Sequence, residues 1–261
     1  MKTQEKNFDG IKLSGFTAIL IMLALTGTAI YLLSLPQTPS IIAGVICGIC
    51  VVVMLPGFMI IQPNNSRVLT FFGRYAGTVI SNGFYWVNPL FLKSTVTLRI
   101  LNLNIDPIKV NDKVGNPIMI GAVVVWRIKD TYKASFDISG NIREFVQIQS
   151  DAALRQVAGM YAYDTNETID KVTLRSDESG EITQRLEDEL NSRLAIAGIE
   201  IVEARINYLA YASEIASVML RRQQADAIIS ARERIVEGAV SMVHLALEKL
   251  EKDGVVELDE E

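Results

Sequence analysis

Residues 13–35 carry no charged side chain, and neither do residues 41–61; both runs are dense in Leu, Ile, Val and Ala. At about 1.5 Å of rise per residue, a helix over either run crosses the ~30 Å hydrocarbon core of a bilayer. The connection Pro36-Gln37-Thr38-Pro39 is short and proline-rich, as a tight turn between antiparallel helices requires. The pattern therefore predicts a transmembrane helical hairpin. A cleaved signal peptide would have a shorter apolar stretch and small residues at its cleavage site, and Ser34-Leu35-Pro36 fits that poorly. Pro56-Gly57 falls near the end of the second run, where a helix break close to the interface is tolerated.

Beyond residue 67 the period changes. Val68-Leu69-Thr70-Phe71-Phe72, bounded by Gly73, and the run 75–80, ending at Ser81-Asn82-Gly83, read as short strands. Phe84, Tyr85 and Trp86 follow, and with Phe71 and Phe72 they form an aromatic group close in sequence to the membrane exit. Two readings fit them, rings at the headgroup layer and rings in a folded core. Three further strands are predicted at 96–100, 101–110 and 118–128. Leu101-Asn102-Leu103-Asn104-Ile105 alternates strictly, which marks a sheet with one buried face. Val123-Val124-Val125-Trp126 does not alternate and reads as a central strand covered on both faces. The turn chemistry of 111–116 joins the last two into an antiparallel hairpin or meander.

From Ile142 the apolar spacing becomes three and four. Ile142, Phe145, Val146, Gln149, Ala153, Val157 and Met160 share one helical stripe. A second helix is predicted over 181–197, with Ser176 or Ser179 as N-cap, Ile182, Leu186, Leu190 and Leu194 along one face, and Gly198 just past its end. Residues 199–206 return to an extended pattern. The last segment, 212–252, has no proline and a single glycine, Gly238. As one helix it would extend roughly 60 Å, longer than a small domain is wide. Ile215, Met219, Ile229, Val236, Val240, Val243, Leu247 and Leu250 lie on its apolar stripe, among interleaved Arg and Glu. Such a stripe packs either on its own domain or on sister copies, and the length favours sister copies. Asp253-Gly254 should stop the helix; the final acidic residues read either as a solvating tail or as the start of another helix cut short, the latter being favoured by three aliphatics in seven residues.

Composition narrows the function. The chain is 49% hydrophobic with a mean hydropathy of +0.26 and a formal charge of −5. Lys2, Lys6 and Lys12 precede the first span, Arg67 and Arg74 follow the second, and the turn has no charge, so both ends are expected on the cytoplasmic side. An acidic domain is a poor nucleic-acid ligand and gains little from anionic headgroups. Cys47 and Cys50 form a C-x-x-C pair, but inside an uncharged span without a neighbouring His they read as small packing residues rather than a redox or metal site. His244 is the only histidine and sits on the last helix among aliphatics. The acids Glu187-Asp188-Glu189 read as a solvated helix face. The sequence offers no nucleophile elbow, phosphate loop or zinc motif, so no enzyme, cofactor or metal is expected.

Taken in order, several segments resemble the stomatin/prohibitin/flotillin (SPFH, band 7) family. They are Pro63-Asn64-Asn65-Ser66-Arg67-Val68 with Phe71-Phe72-Gly73, Gly83-Phe84-Tyr85-Trp86-Val87-Asn88-Pro89, Ala153-Leu154-Arg155-Gln156-Val157, Gly198-Ile199-Glu200-Ile201, and Ala225-Asp226-Ala227 through Ile235-Val236-Glu237-Gly238-Ala239. The resemblance implies a small α+β domain against the bilayer and side-by-side assembly of many copies. It also implies organisation of membrane proteins or lipids, often around membrane proteases. Two departures stand out: two spans where many members have one or a re-entrant loop, and a final helix shorter than the flotillin type. The expected organisation is α+β: a cytoplasmic segment 1–12, a transmembrane helical hairpin 13–61, an antiparallel-sheet SPFH domain with packed helices 62–210, a long amphipathic, coiled-coil-type oligomerisation helix 211–252, and an acidic tail 253–261. The expected role is a membrane-anchored homo-oligomeric scaffold in the cell (inner) membrane. Its expected partners are membrane lipids, copies of itself, and a membrane protease or other integral membrane protein. The alternative is a low-stoichiometry regulatory subunit of a protease or transporter.

Overall fold

The computed structural model describes residues 5–164, 172–176 and 180–252. The chain enters through a three-residue strand, β1 (Lys12–Ser14), and runs directly into two antiparallel apolar helices, α1 (Gly15–Ser34) and α2 (Thr38–Met54). Neither helix is covered by the rest of the chain, and both are long and apolar enough to cross a membrane, α2 together with the 3-10 turn that follows it. The second span ends earlier than the expected residue 61. Pro56 lacks the N–H that would continue the helix, so a 3-10 turn (Leu55–Gly57) follows Met54 and the chain becomes strand β2 (Phe58–Ile61).

Next come β3 (Asn65–Phe71), β4 (Arg74–Val79), β5 (Gly83–Val87), β6 (Phe91–Thr97), β7 (Leu101–Asn111) and β8 (Pro117–Ile128). Helices α3 (Thr131–Phe136), α4 (Ile142–Ala158) and α5 (Glu181–Leu194) precede β9 (Ile199–Tyr211) and the final helix α6 (Ser213–Lys252). The strands form three three-stranded sheets ordered β1-β5-β2, β4-β3-β6 and β7-β8-β9, with every pairing antiparallel.

The main core lies between β7-β8-β9 and the helices α4 and α5. Ile182, Leu186, Leu190 and Leu194 of α5 are all buried, as their spacing predicts. On β7 the alternation holds: Leu103 and Ile105 are buried while Asn102 and Asn104 are exposed. β8 is central but not fully covered on both sides, because Val124 and Trp126 are buried whereas Val123 and Val125 are half-buried. The helix α5 begins without a serine cap: Gly180 occupies the N-cap position at φ 70°, and Ser179 lies outside the described residues. Gly198 does take the left-handed position, at φ 68°.

The acid run on α5 does more than face solvent. Ala204 N–H donates to Glu187 Oε1 at 3.1 Å and Ile201 N–H donates to Asn191 Oδ1 at 3.0 Å, so α5 side chains satisfy the outer edge of β9. That covers an edge which would otherwise present unpaired amides. Glu189 pairs with Arg193 at 2.6 Å.

The turn between β7 and β8 is organised by Asp112, which is 5% exposed. Its carboxylate accepts from the amides of Val114 (3.0 Å), Asn116 (2.7 Å) and Tyr163 (3.1 Å) and from Asn116 Nδ2 (3.0 Å). The Tyr163 amide ties the chain leaving α4 to the sheet. Asp112→Ala would strand these donors, each costing on the order of 1–3 kcal/mol when buried. The expected result is a fall of about 2–4 kcal/mol in unfolding free energy, read by denaturant titration in detergent with Trp126 fluorescence as the probe; Asp112→Asn should lose less.

Candidate membrane-docking platform and assembly helix

Both ends of the helix pair are built into one sheet. β1 leads into α1, β2 leads out of α2, and β5 lies between them, with Leu13 opposite Trp86, Phe58 opposite Trp86, and Ile60 opposite Phe84. Directly opposed residues share a face, so Leu13, Phe58, Ile60, Phe84 and Trp86 form one apolar surface beneath the helices. The other face, with Met59, Ile61, Tyr85 and Val87, closes on a second core cluster that also takes in Leu69 and Val79.

The contacts with the helix ends are close. Phe84 packs edge-on against Phe16 at 5.6 Å and stacks on Phe58 at 5.5 Å. A Cβ at Gly15 would fall 2.2 Å from the Phe84 ring, and one at Gly57 would fall 2.3 Å from Trp86 Nε1. Both positions therefore require glycine, because the rings occupy the side-chain space. Trp86 Nε1 donates to the carbonyl of Met54 at 2.9 Å, and Lys93 Nζ donates to the carbonyls of Pro56 and, at 3.5 Å, Phe58. These donors satisfy carbonyls that the end of α2 leaves open, and a cation there also suits the helix dipole. Burial, with the nearby Arg67 guanidinium, holds the Lys93 ammonium below its ordinary pKa.

The aromatic group thus divides. Phe84 and Trp86 face the helices, Tyr85 faces the second core, and Lys12 Nζ lies 4.8 Å over the Tyr85 ring. Phe71 and Phe72 occupy a separate place, the tip of the β3–β4 hairpin. Phe71 is 36% exposed and Phe72 78%. Phe72 has φ 45° and Gly73 φ 81°, the pair of positive angles that a type I′ hairpin turn requires. Gly, Asn or Asp is expected at such a position, and a bulky ring there carries strain of order 1–3 kcal/mol. Phe71 meets Phe91 at 5.2 Å, two residues before Lys93, so the tip lies on the side where α2 leaves its helix. Leu90 and Leu92, both exposed, adjoin it. Sequence reading singled out the tip aromatics but not Gly15, Gly57 or Lys93; Pro56-Gly57 was legible only as a helix break.

α6 has 40 residues. Its base is fixed to the domain: Ala212 N–H donates to Pro117 O at 2.9 Å, and Glu214 pairs with Lys109, which holds its carboxyl below the ordinary range through a side-chain hydrogen bond. Ile215 and Met219 are half-buried near that base. Farther on, Ile229, Val236, Val240, Val243, Leu247 and Leu250 are all exposed, as are Ile235 and Met242. The helix does not fold back on its own domain. His244 lies on this exposed stretch. Among the described residues no group of His, Cys, Asp and Glu is placed to hold a metal ion.

No match is found among the curated proteins. The family model described as SPFH domain / Band 7 family matches residues 59–240, from within β2 to beyond the midpoint of α6. With about seven tenths of its length inside that match, the chain belongs to the SPFH domain / Band 7 family.

Proposed function

We propose that this protein is a membrane-anchored scaffold whose copies assemble through α6 and organise lipids or other membrane proteins around them, rather than a catalyst. One observation carries the reading: a helix about 60 Å long leaves the domain with Val236, Val240, Val243, Leu247 and Leu250 uncovered. Large aliphatics in such a row lose about 25 cal/mol per Å² of apolar surface left in water, and a sister helix offers the same stripe in return. Membership of the SPFH family supports this kind of role.

The anchor in this reading is the hairpin α1–α2, crossing the cell membrane twice. Residues 6–8 and 12–14 precede α1 yet pair with β4 and β5, which follow α2. That supports a topology with the N-terminus and the domain on one side, and the positions of Lys6, Lys12, Arg67 and Arg74 favour the cytoplasmic side. The apolar face of β1-β5-β2 and the Phe72 tip then rest in the headgroup layer. Lipids, sister copies and an integral membrane protein such as a protease are the proposed partners; a low-stoichiometry regulatory subunit is the alternative, signalled by a second chain co-purifying in equal amount.

Three variants test these statements and the strain at the hairpin tip. The triple variant Val236→Glu, Val240→Glu, Val243→Glu places like charges in the self-interface, so single-particle imaging in mild detergent should find the large particle dispersed; an unchanged particle size would contradict assembly through α6. At the hairpin tip, Phe72→Trp should add emission that brominated lipid quenches beyond the quenching of the unmodified protein, whose Trp86 lies on the platform; added emission indifferent to bromine would place the tip in water. Phe72→Asn should raise the unfolding free energy by roughly 1 kcal/mol, since asparagine tolerates the left-handed conformation.

A further inference from the structure

The chain ahead of the first apolar helix was expected to be a plain cytoplasmic segment, but residues 5–8 are seated in a groove of the domain. Asn7 bridges in parallel to Thr78 at the free edge of β4. Thr78 N–H donates to Lys6 O at 2.8 Å, and Phe8 N–H donates to Thr78 O at 3.1 Å. A Cβ at Gly77 would lie 2.7 Å from Phe8 Cα, so the glycine is what lets the segment approach the strand. Phe8 closes the second core cluster, meeting Phe91 edge-on at 5.4 Å.

The floor of the groove is a polar chain that begins and ends on the same segment. Lys6 N–H donates to Tyr75 OH (3.3 Å), the Tyr75 hydroxyl lies 2.7 Å from Thr78 Oγ1, Thr78 Oγ1 lies 2.9 Å from Thr131 Oγ1, and the Thr131 hydroxyl donates to Glu5 Oε1 (2.6 Å). Read in one direction, each hydroxyl donates once and accepts once, the arrangement in which hydrogen bonds reinforce one another. Thr78 and Thr131 are each 1% exposed. Thr78 belongs to the β4-β3-β6 sheet, which shares the second core with the sheet under the helix pair, whereas Thr131 opens α3, which follows the large sheet. Tyr75 also packs on Tyr132 at 4.8 Å and Phe136 at 5.8 Å.

We infer that residues 5–8 are a clasp: the β4 edge and the start of α3 form a peptide groove whose occupant is the chain's own leading segment, and its occupation joins the membrane-proximal half of the domain to the half that carries α6. Glu5 grips α3, Lys6 and Asn7 extend the β4 sheet, and Phe8 seals the second core. The clasp makes the rigidity of the domain depend on residues that come before the first membrane helix.

Hydrogen–deuterium exchange on the full chain in phosphatidylcholine nanodiscs tests this. In the unmodified protein, residues 5–9 should exchange at least about tenfold slower than an unstructured tail. Phe8→Ala should remove that protection and also speed exchange in α3, over Thr131–Phe136. Fast exchange of 5–9 in the unmodified protein would overturn the clasp. So would loosening that stops at residue 9 and leaves α3 unchanged. Glu5→Ala, which removes no apolar core atoms, gives the same two readings if Phe8→Ala does not accumulate.

Discussion

Everything outside the helix pair hangs from the contact between strand β5 and the two helix ends. Phe84 fills the space over Gly15, Trp86 fills the space over Gly57, and the strands leading into and out of the hairpin flank β5 on either side. A backbone pairing on both edges leaves the domain no swivel relative to its anchor, because a rotation would break hydrogen bonds in β1, β2 and β5 together. The glycines make this possible at a cost in chain entropy, and ring burial against backbone offsets it. Charge enters this attachment through Lys93, hydrogen-bonded to the carbonyls where the chain leaves α2, rather than through a basic patch.

Rigidity then passes from layer to layer through β3. Its adjacent residues Val68 and Leu69 are both 0% exposed, yet Val68 belongs to the main core and Leu69 to the second one. Successive strand residues point to opposite faces, so β3 is the wall shared by the platform side and the α4–α5 side. From the main core the path continues into β9, whose outer edge is closed by Glu187 and Asn191. β9 ends at Tyr211, whose ring lies 4.0 Å from that of Tyr163 at a tilt of 35°, and Ala212 turns the chain into α6. The direction in which α6 leaves is therefore set, through packed contacts, by the plane of the helix hairpin. The scaffold proposed above, repeating side by side on a membrane, needs such a fixed angle.

The parts of this architecture legible in the sequence are those written in local periodicity. The uncharged runs gave the helix pair, Leu101 to Ile105 gave β7, the four-residue stepping of Ile182 to Leu194 gave α5, and the absence of proline after 212 gave α6. What escaped was written in long-range pairing. β1 and β2 are three and four residues long and sit inside apolar runs that read equally well as helix; only β5, remote in the chain, makes strands of them. The clasp is a polar segment of ordinary composition whose partner Thr78 is about seventy residues away. Phe71 and Phe72 were noticed as aromatics, but the strain at Phe72 lies in a backbone angle that no composition records. The acids of α5 looked solvated because their acceptor role depends on a strand still to come.

The energetics of α6 explain why its length matters. Helices of ordinary composition draw most of their stability from packing an amphipathic face rather than from propensity, and here only the first turns touch the domain. The Lys109–Glu214 pair at the base is exposed on both sides, so water screens it and it adds little. Forty ordered residues carrying bare valines and leucines therefore want a surface that the domain does not supply. A stripe that is weakly apolar near Arg221 and Arg222 and richer beyond Ile235 would be covered most strongly at its far end. In the proposed assembly, contacts made there, on a lever whose base is fixed by the β5 platform, translate the angle of each helix pair into the spacing of neighbouring copies.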